Sequence, residues 1–447
     1  MLGYEFEFLT ENRKTHKPIT NEELTSFHEA LAGKGWENRR DPITKEIAQS
    51  TKDGTKVTTD ASIFITEINL PPTETVKESD RDTKELLGKL DIALEPLGLE
   101  FLGIGMFPFT VPKNYDYMCN KAFVKYVLSR YFNMSIMHRI AACQYWFDVP
   151  KERLVEYINI MNRLSGICTA LLGNSPFSNG KRNLDIAERA LAWEEIAGRY
   201  PSDVRIVGVP DREYAGFLDY LEHCFKAPFY GGGRLSSPFY LEDHSRTNED
   251  FFFSDEIEVI GIDGEMKVKP ELGDLYDIIQ KNMFFENRAK FRFKKTATVG
   301  EFKRAYLERD EAALIGLLDK AFIECRIIAS QNRDEFSIGP AFILGLLENL
   351  DKTKELLGKG DYEYWKELRK KAIKDGLDFE IEGKHIADIL DEFLQVSEEG
   401  LKKRGFGEEK FLVKAKELVS KRENPGQRKV RLFEEGGMER VIEDCLV

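Results

Sequence analysis

Two glutamates near the start of the chain are the first residues that could do chemistry. Residues 3–9 alternate largely between apolar and acidic side chains, which predicts a half-buried β-strand. Glu5 and Glu7 then project from one face, and the aromatic side chains project from the other. Two carboxylates ~4 Å apart repel by about 4 kcal/mol at an effective dielectric of about 20. On an enclosed face the pair needs cations or a proton, whereas on a face that meets water it needs neither.

A further carboxylate lies inside an apolar run that follows a hairpin signal. Asp53-Gly54 predicts a tight turn, and residues 57–69 predict a strand that ends before Pro71. Glu67 lies near the end of this strand. Buried without a partner it would cost several kcal/mol, so a metal ion, an arginine or a substrate ammonium group is expected beside it. The alternative is a strand-end glutamate whose carboxylate reaches solvent.

A glutamine and an aspartate interrupt the apolar segment at residues 142–149, which predicts a third strand. Gln144 and Asp148 fall on the same face as Trp146, because side chains alternate along a strand. Taken alone, each polar group is explained better by a satisfied core position or a strand-end cap than by a ligand.

A fourth strand is predicted at residues 321–329, where Glu324 and Arg326 share one face. An ion pair within the strand is a strong alternative for these two residues. Four strands that each carry polar groups in register are nevertheless explained more economically by one shared site than by separate solvated faces. Oxygen ligands without clustered Cys or His favour Mg²⁺ or Mn²⁺ over Zn²⁺.

Magnesium held by carboxylates usually serves a polyphosphate, yet the sequence lacks the usual phosphate-binding loops. It contains no GxxxxGK[ST] segment and no GxGxxG after a predicted strand, and Gly231-Gly232-Gly233-Arg234 is too short and wrongly placed for a phosphate cradle. A GxSxG elbow is absent as well. A nucleotide would therefore bind through metal ions and through Arg and Lys side chains.

The elements that must position these side chains mix strands with helices. Periodicity predicts helices at residues 21–33, 78–97, 118–139, 151–172, 183–199 and 309–320, and a largely helical chain from residue 340 onward. Residues 201–300 are the least regular and contain a hairpin signal at Asp263-Gly264. This order of elements predicts an α+β fold with a mainly antiparallel sheet.

Composition excludes several classes of protein. The 447 residues carry 65 Lys plus Arg against 78 Asp plus Glu, and the net charge of −13 argues against a nonspecific nucleic-acid binder. Apolar stretches are too short to span a membrane, and the first residues leave no room for a signal sequence, so we expect a cytoplasmic protein. Six scattered cysteines without a CxxC pair predict reduced thiols rather than disulfides or a zinc site. The sequence gives no oligomeric state.

Together these motifs resemble the glutamate-cysteine ligase superfamily, within the wider glutamine-synthetase-like carboxylate-amine ligases. The segments that carry the resemblance, in family order, are Gly3-Tyr4-Glu5-Phe6-Glu7; Thr59-Asp60 through Glu67 and Pro71; Met137-His138-Arg139-Ile140-Ala141-Ala142-Cys143-Gln144 through Asp148; Asn174-Ser175-Pro176-Phe177 with Gly180, Arg189 and Trp193; and Phe322-Ile323-Glu324-Cys325-Arg326 with Gly339-Pro340-Ala341-Phe342 and Gly345-Leu346-Leu347. The basic, threonine-rich stretch found in many relatives has only loose counterparts, at residues 284–288 and 291–295.

The resemblance implies a fold and a reaction. It implies a curved, mainly antiparallel sheet flanked by helices, with a catalytic domain at residues 1–350 and a helical C-terminal region at 351–447 packed on it. The implied reaction uses ATP to phosphorylate the side-chain carboxylate of glutamate, after which the amine of cysteine displaces phosphate and gives γ-glutamylcysteine. A related ligase with another amine, or a non-catalytic metabolite-binding protein on the same scaffold, remains an alternative.

The resemblance also implies roles for individual residues. The metal ligands or metal-facing groups that it implies are Glu5, Glu7, Asp60, Glu67, Gln144 and Glu324. Glu67 and Arg326 are the expected catalytic residues, and the planar fork of Arg326 suits a phosphate or a γ-carboxylate. Arg182 and Arg189 are expected to hold the glutamate α-carboxylate or phosphate, although a surface arginine on a helix is the alternative for each. Asp148 is as readily structural as catalytic.

Overall fold

An antiparallel sheet of ten strands runs through the computed structural model, which describes residues 1–113, 116–196, 204–234, 237–243 and 245–447. The strands are β1 (Leu2–Asn12), β2 (Lys17–Pro18), β3 (Glu37–Arg40), β4 (Ile47–Lys52), β5 (Thr55–Thr59), β6 (Ile65–Thr73), β7 (Leu99–Leu102), β8 (Cys143–Val149), β9 (Asn287–Phe293) and β10 (Leu318–Cys325). Their order is β9-β10-β8-β1-β6-β5-β4-β3, and β2 and β7 pair with the second half of β1. The sheet therefore joins strands that are more than 300 residues apart in sequence.

Strand β1 lies at the centre of this sheet, and its alternating sequence gives it two different faces. Phe6 and Phe8 are fully buried on one face, where the ring centres of Phe6 and Phe336 lie 5.2 Å apart. Each buried phenylalanine contributes about 1.5–3 kcal/mol. Glu5 and Glu7 occupy the opposite face, between β8 and β6. One period-two sequence thus builds the core and presents two carboxylates.

The remaining regular structure is mainly helical. The helices of eight residues or more are α1 (Asn21–Ala32), α2 (Val76–Leu94), α3 (Leu154–Leu172), α4 (Glu188–Ile196), α5 (Phe217–Lys226), α6 (Val299–Leu307), α7 (Ile338–Glu348), α8 (Leu350–Leu357), α9 (Tyr362–Asp375), α10 (Ile386–Arg404), α11 (Leu412–Lys421) and α12 (Pro425–Cys445). Capping boxes start several of them, for example Thr20 with Glu23 before α1 and Thr75 with Glu78 before α2.

Helix α7 covers the apolar face of the sheet. All but its last residue are buried, as its continuous apolar sequence requires. Gly339 allows the close approach, because a Cβ there would lie 3.0 Å from the ring of Tyr145 on β8. The Tyr145 hydroxyl donates to the Phe336 carbonyl at 2.7 Å, just before the helix. The apolar side of the sheet is thereby closed, and only the acidic side is left to form a cleft.

The C-terminal helices pack against earlier elements. Helix α9 crosses α3 at Gly166, where a Cβ would meet Leu368 at 2.6 Å and the backbone of Arg369 at 2.8 Å. Helix α10 packs on α7, and the end of α12 reaches β7 through a bridge between Leu102 and Leu446. The division of the chain into domains at residue 350 stays a prediction.

Between α4 and β9 the chain forms short elements. These are the π-helical turn Tyr276–Lys281, the helix Asn248–Phe252, the hairpin Ile257–Gly261 with Gly264–Val268, the ribbon Gly232–Arg234 with Ser237–Phe239, and the parallel pair Val207–Gly208 with Phe284–Phe285. The hairpin predicted at Asp263-Gly264 is confirmed. Within the described residues, no helix has the length and apolar character needed to cross a membrane.

The predicted fold class is confirmed, but three predicted elements are wrong in detail. The helix expected at 309–320 ends at Gly316, and β10 already begins at Leu318. The strand expected at 57–69 is broken into β5 and β6 by a turn in which Ile65 N–H donates to the Ser62 carbonyl. The break places β5 and β6 side by side as neighbours. The helix expected at 118–139 is instead a π-helical turn, Val124–Leu128, followed by two short helices, and is interrupted where Phe132 is extended. The last three residues of the helix predicted at 183–199, residues 197–199, lie outside the described residues.

Candidate active site

A cleft with a volume of about 370 Å³ opens on the acidic face of the sheet. Its walls combine carboxylates, cations and aromatic rings. The carboxylates are Glu5, Glu7, Asp60, Glu67 and Glu324; the cations are Lys56, Lys121, Lys281, Arg288, Lys290 and Arg326. The strands β1, β5, β6, β8, β9 and β10 and the segments between them supply most of these residues. The acids predicted from separate strands therefore meet in one place.

Strand register brings the acids together. Glu5 pairs with Gln144 on β8 and with Asn69 on β6, and Glu7 pairs with Glu67. Directly opposed residues of an antiparallel pair have Cβ atoms about 4.5–5.5 Å apart, so like charges at these positions destabilise the sheet unless a cation lies between them.

A chain of hydrogen bonds fixes the centre of the cleft. The Gln144 amide donates to one oxygen of Glu7, and the backbone N–H of Ala142 donates to the other at 2.7 Å. Arg326 Nη1 in turn donates to Gln144 Oε1 at 2.7 Å. Gln144 thus has one defined orientation, because it donates to an acid and accepts from a cation.

Two carboxylates have cations of their own. Glu324 lies between Arg288 and Lys290, with 3.6 Å between Lys290 Nζ and Glu324 Oε2. Burial disfavours its charge, but Arg288 and Lys290 outweigh burial and lower the pKa of Glu324 to about 2. Glu67 lies 3.6 Å from Lys56 and 3.7 Å from Lys121, and these cations likewise hold its pKa below the usual value despite burial.

The other three carboxylates of the cleft have no lysine or arginine within 4.0 Å among the described residues. Burial raises the pKa of Glu5, and the charges of Glu67 and Glu324 raise it further. Burial and Asp60 raise the pKa of Glu7 to about 8, and burial and Glu67 raise that of Asp60. Acids that are costly to ionise alone, and that share a cleft, suit a divalent cation. The donor set of carboxylate oxygens and one amide oxygen fits Mg²⁺ or Mn²⁺.

The cations of the cleft are held by aromatic rings as well as by acids. Lys290 Nζ lies 5.1 Å from the ring centre of Trp146 and 5.2 Å from that of Tyr276. Burial and Arg288 lower the pKa of Lys290 to about 7. The Arg326 guanidinium lies 5.5 Å from the ring of Trp193, which stacks on Phe284. Rings that fix a cation leave its remaining N–H groups free for an anion.

The glycine of the first motif also has a local role. A Cβ at Gly3 would lie 3.1 Å from Cβ of Trp146, its partner on β8. Glycine therefore lets Trp146 lie across the strand and reach the cleft.

The other residues predicted for the site lie at different places. Arg189 is buried, and its Nη atoms donate to the carbonyls of Arg326 at 3.1 Å and Ile327 at 3.4 Å, so it supports the end of β10 rather than lining the cleft. Arg182 lies outside the cleft on an exposed ribbon, where it pairs with Glu434 at 3.1 Å. Asp148 is exposed near the end of the inner strand β8, 3.4 Å from the N-terminal amine. The structure does not bring Arg182 or Asp148 to the acids.

Sequence reasoning missed most of the cations. Arg288 fell within the loose basic stretch at 284–288, and its place opposite Glu324 in the β9–β10 register gives it a definite partner. Lys56 on β5 lies opposite Asn69 on β6. The hairpin signal at Asp53-Gly54 could have indicated this pairing, and with it the face of the sheet from which Lys56 projects. Lys121 comes from an irregular segment and Lys281 from the end of a π-helical turn, and no local pattern in the sequence marks either residue.

Comparison with known proteins identifies a family. The model of the family described as glutamate-cysteine ligase family 2 matches residues 1–443. The chloroplastic glutamate–cysteine ligase A of Oryza sativa subsp. indica is 24% identical over 381 residues, which cover 82% of this chain and 68% of that protein. The chloroplastic glutamate–cysteine ligase of Medicago truncatula is 23% identical over 397 residues, which cover 85% of this chain and 69% of that protein.

Solved structures share the fold at lower sequence identity. Glutamate–cysteine ligase from Francisella tularensis in complex with AMP matches with a TM-score of 0.52 and 13% identity, and the match covers 99% of this chain and 87% of that chain. A bifunctional glutathione synthetase from Pasteurella multocida matches with a TM-score of 0.53 and 13% identity, over 100% of this chain and 50% of that chain. These matches support the fold described above.

Proposed function

The chain belongs to glutamate-cysteine ligase family 2, whose members are ATP-dependent ligases, and we propose that it joins the side-chain carboxylate of glutamate to the amine of cysteine. The products are γ-glutamylcysteine, ADP and phosphate, and this is the first step of glutathione-type thiol synthesis. The observation that carries the proposal is the cleft in which five carboxylates and six cations from distant parts of the chain meet. We further propose a cytoplasmic location.

Glu5, Glu7, Asp60, Glu67, Gln144 and Glu324 are the residues that would hold Mg²⁺ or Mn²⁺. Bound there, divalent cations would supply the positive charge that offsets the triphosphate and the charge moving with the γ-phosphoryl group. Glu5, Glu7 and Asp60 give this assignment its strongest support, because burial and neighbouring acids raise the pKa of each and a bound cation would offset both effects.

The reaction consists of two displacements. An oxygen of the glutamate side-chain carboxylate attacks the γ-phosphorus of ATP, and ADP leaves with the bridging oxygen. The amine of the acceptor then attacks the acyl carbon, the amide C–N bond forms, and phosphate departs while the amine nitrogen loses a proton. Neither step needs a protein nucleophile, so catalysis is mainly positioning and charge stabilisation.

Arg326 is proposed to contact the transferred phosphoryl group or the glutamate side-chain carboxylate. Its Nη1 donates to Gln144 and its guanidinium lies 5.5 Å from the ring centre of Trp193, so the other N–H groups of the fork are proposed to bind the substrate oxygens. Arg189 acts as a positioning residue, since its two hydrogen bonds hold the backbone at Arg326 and Ile327. This role replaces the direct substrate contact expected for Arg189.

The cations on β9 are proposed to contact the phosphates. Arg288 and Lys290 are both nearly fully buried, and they project beside Glu324 into the cleft. An anionic ligand beside Lys290 would favour its charged form, because its pKa of about 7 reflects burial and the neighbouring Arg288. Triphosphate binding therefore matches the charge of this wall.

Apolar side chains in the cleft support an acceptor amine with a small, weakly polar side chain. Phe123, Val124, Leu128, Met137, Trp193 and Phe284 line one part of the cleft. A thiol such as that of cysteine can lie against such a wall without leaving polar groups unpaired. The same wall would accept other small amines, so another glutamate–amine ligase is the competing assignment.

The decisive assay measures ADP release by the full chain with ATP, Mg²⁺ and glutamate, with and without one of a panel of amines, and identifies the product by mass spectrometry. We expect γ-glutamylcysteine as the main product, with an amide at the side-chain carboxylate. A different amide as the main product would reassign the acceptor and keep the ligase. Absence of Mg²⁺-dependent amide formation with every amine would contradict the proposed function.

A further inference from the structure

A second group of potential metal ligands lies away from the cleft, at the far end of β1. One ligand atom from each of Glu11, His16 and Glu100 falls within 4.8 Å of the other two. Glu11 lies four residues beyond Glu7, about 13 Å farther along the strand. None of the three lines the cleft. The group therefore needs an explanation separate from the proposed ligase site.

The two carboxylates of this group lie at directly opposed positions on neighbouring strands. Glu11 on β1 is paired directly with Glu100 on β7, and the exposed fractions of these residues are 0% and 8%. Buried like charges at directly opposed positions destabilise a sheet. Arg13 offsets one charge, because its Nε donates to Glu100 Oε2 at 2.9 Å. Two carboxylates against one guanidinium still leave the pair with excess negative charge.

Glu11 has a carboxylate oxygen without a hydrogen-bond partner. Its Oε1 meets His16 Nδ1 at 2.7 Å, whereas its buried Oε2 has no partner among the described residues. Leaving a buried acceptor unsatisfied costs free energy, and it costs more for a charged group. An ion bound to the Glu11 carboxylate between Glu100 and His16 would offer this oxygen a partner.

The histidine is held in place while remaining accessible. Its side chain is 39% exposed, and its ring stacks on Phe109 at 5.2 Å with an angle of 25° between the planes. The Asn12 side chain accepts from the backbone N–H groups of Lys14 and Thr15, which closes the turn that carries His16. An imidazole fixed in this way can bind an ion that enters from solvent.

We propose that Glu11, His16 and Glu100 form a second metal site, which binds a divalent transition-metal cation of the zinc class. One imidazole nitrogen with two carboxylates suits Zn²⁺ or Co²⁺ better than Mg²⁺, and water completes the coordination. Bonds of about 2.0–2.2 Å place tetrahedral ligands ~3.4 Å apart, so the side chains must rearrange slightly around the ion. The ion would tie the end of β1, the following turn and β7 together.

A cobalt titration in excess Mg²⁺ tests this proposal. Mg²⁺ occupies the oxygen ligands of the cleft, and Co²⁺ bound by imidazole at low coordination number gives a visible d–d absorption. The full chain is first stripped of bound metal and then placed in excess Mg²⁺. We expect it to bind one Co²⁺ ion per chain with this absorption. His16→Ala, at a partly exposed position, should weaken binding at least ~10-fold and remove the absorption. Lys14→Ala, in the same turn but outside the group, is the matched control and should keep both.

Other outcomes overturn the proposal. No absorption in the wild type, or an absorption that survives His16→Ala, would show that these residues do not bind the ion. An absorption lost in Glu67→Gln but kept in His16→Ala would place the ion in the cleft. The competing explanation is that Glu11 and Glu100 share a proton. Infrared spectroscopy tests this explanation through the band of a protonated carboxyl group. A band that disappears in Glu11→Gln, but does not change when saturating Zn²⁺ is added to the wild type, would establish the shared proton instead.

Discussion

Gln144 on β8 donates its side-chain amide to the carboxylate of Glu7 on the neighbouring strand β1. The other end of the same amide accepts from Arg326, which fixes its orientation. The Gln144 carbonyl oxygen thus bonds a cation in this structure and has the chemistry to bond a metal ion as well. The relationship links the acids of β1 to the arginine at the end of β10.

Glu67→Gln tests the acidic half of the site. The substitution keeps the shape of the side chain but removes the charge that faces Lys56 and Lys121, so we expect amide formation to fall at least ~100-fold. Initial rates and thermal unfolding should be measured together, because the fold should survive. Glu74→Gln, exposed just beyond the end of β6, is the control and should keep normal turnover. Near-normal turnover of Glu67→Gln would remove Glu67 from the metal site.

Arg326→Lys tests the planar fork. A lysine keeps the charge but cannot bond Gln144 and a substrate oxygen with the same geometry, so kcat/KM should fall by ~100-fold. Arg292→Lys on β9 is the control, because Arg292 is exposed and pairs with Asp319 away from the cleft. If Arg326→Lys keeps the wild-type rate, Glu324 and Arg326 form a structural pair only.

Gly166→Ala tests the packing of α9 on α3. A methyl group there would meet the Arg369 backbone at 2.8 Å, so the helices must separate and we expect a loss of about 1–3 kcal/mol in the free energy of unfolding. Gly88→Ala in α2 is the matched control. Its Cβ would meet no atom within 4 Å, and alanine should stabilise the helix by about 0.5–1 kcal/mol. Equal stability of the two variants in urea unfolding would refute the close contact.

His28 predicts a pH dependence of stability. Burial lowers its pKa to about 4 in the folded chain, against about 6.5 when unfolded. Between these values the unfolded chain binds a proton that the folded chain does not, so stability is complete above pH 6.5 and falls as the pH drops towards 4. The loss from this residue should be of the order of 2–3 kcal/mol.

Urea unfolding at several pH values, compared with His28→Gln, isolates this contribution. Glutamine can keep the hydrogen bond to Ser50, which His28 Nδ1 makes at 2.7 Å, but it does not titrate. The stability of the variant should therefore change less between pH 7 and pH 4.5. Identical pH profiles would show that another group is responsible.

The parts of the fold that follow from local pattern were predictable. The period of two along residues 3–9 separates Glu5 and Glu7 from Phe6 and Phe8, and the structure has this separation. The Asp53-Gly54 turn is also confirmed, because both residues adopt the positive φ that such a hairpin requires. A short-range sequence signal is sufficient where the backbone conformation is decided by neighbouring residues.

The parts that depend on distant contacts were not predictable. The turn that divides residues 57–69 is built from buried apolar residues, and its Ser62 pairs with Met118. Lys121 reaches Glu67 from the irregular segment that follows this bridge. Arg182 was expected in the site, but the ribbon that carries it turns towards Glu434 on α12. Which loops face the cleft is set by tertiary packing rather than by local periodicity.

The central claim is that the acids of the cleft hold divalent cations that bind a triphosphate, and anomalous scattering tests it most directly. Crystals of the full chain would be grown with Mn²⁺ and a non-hydrolysable ATP analogue. The account predicts manganese peaks within bonding distance of carboxylates from the group Glu5, Glu7, Asp60, Glu67 and Glu324, with the γ-phosphate near Arg326. Density for the nucleotide elsewhere, or a cleft without manganese at saturating concentration, would contradict it.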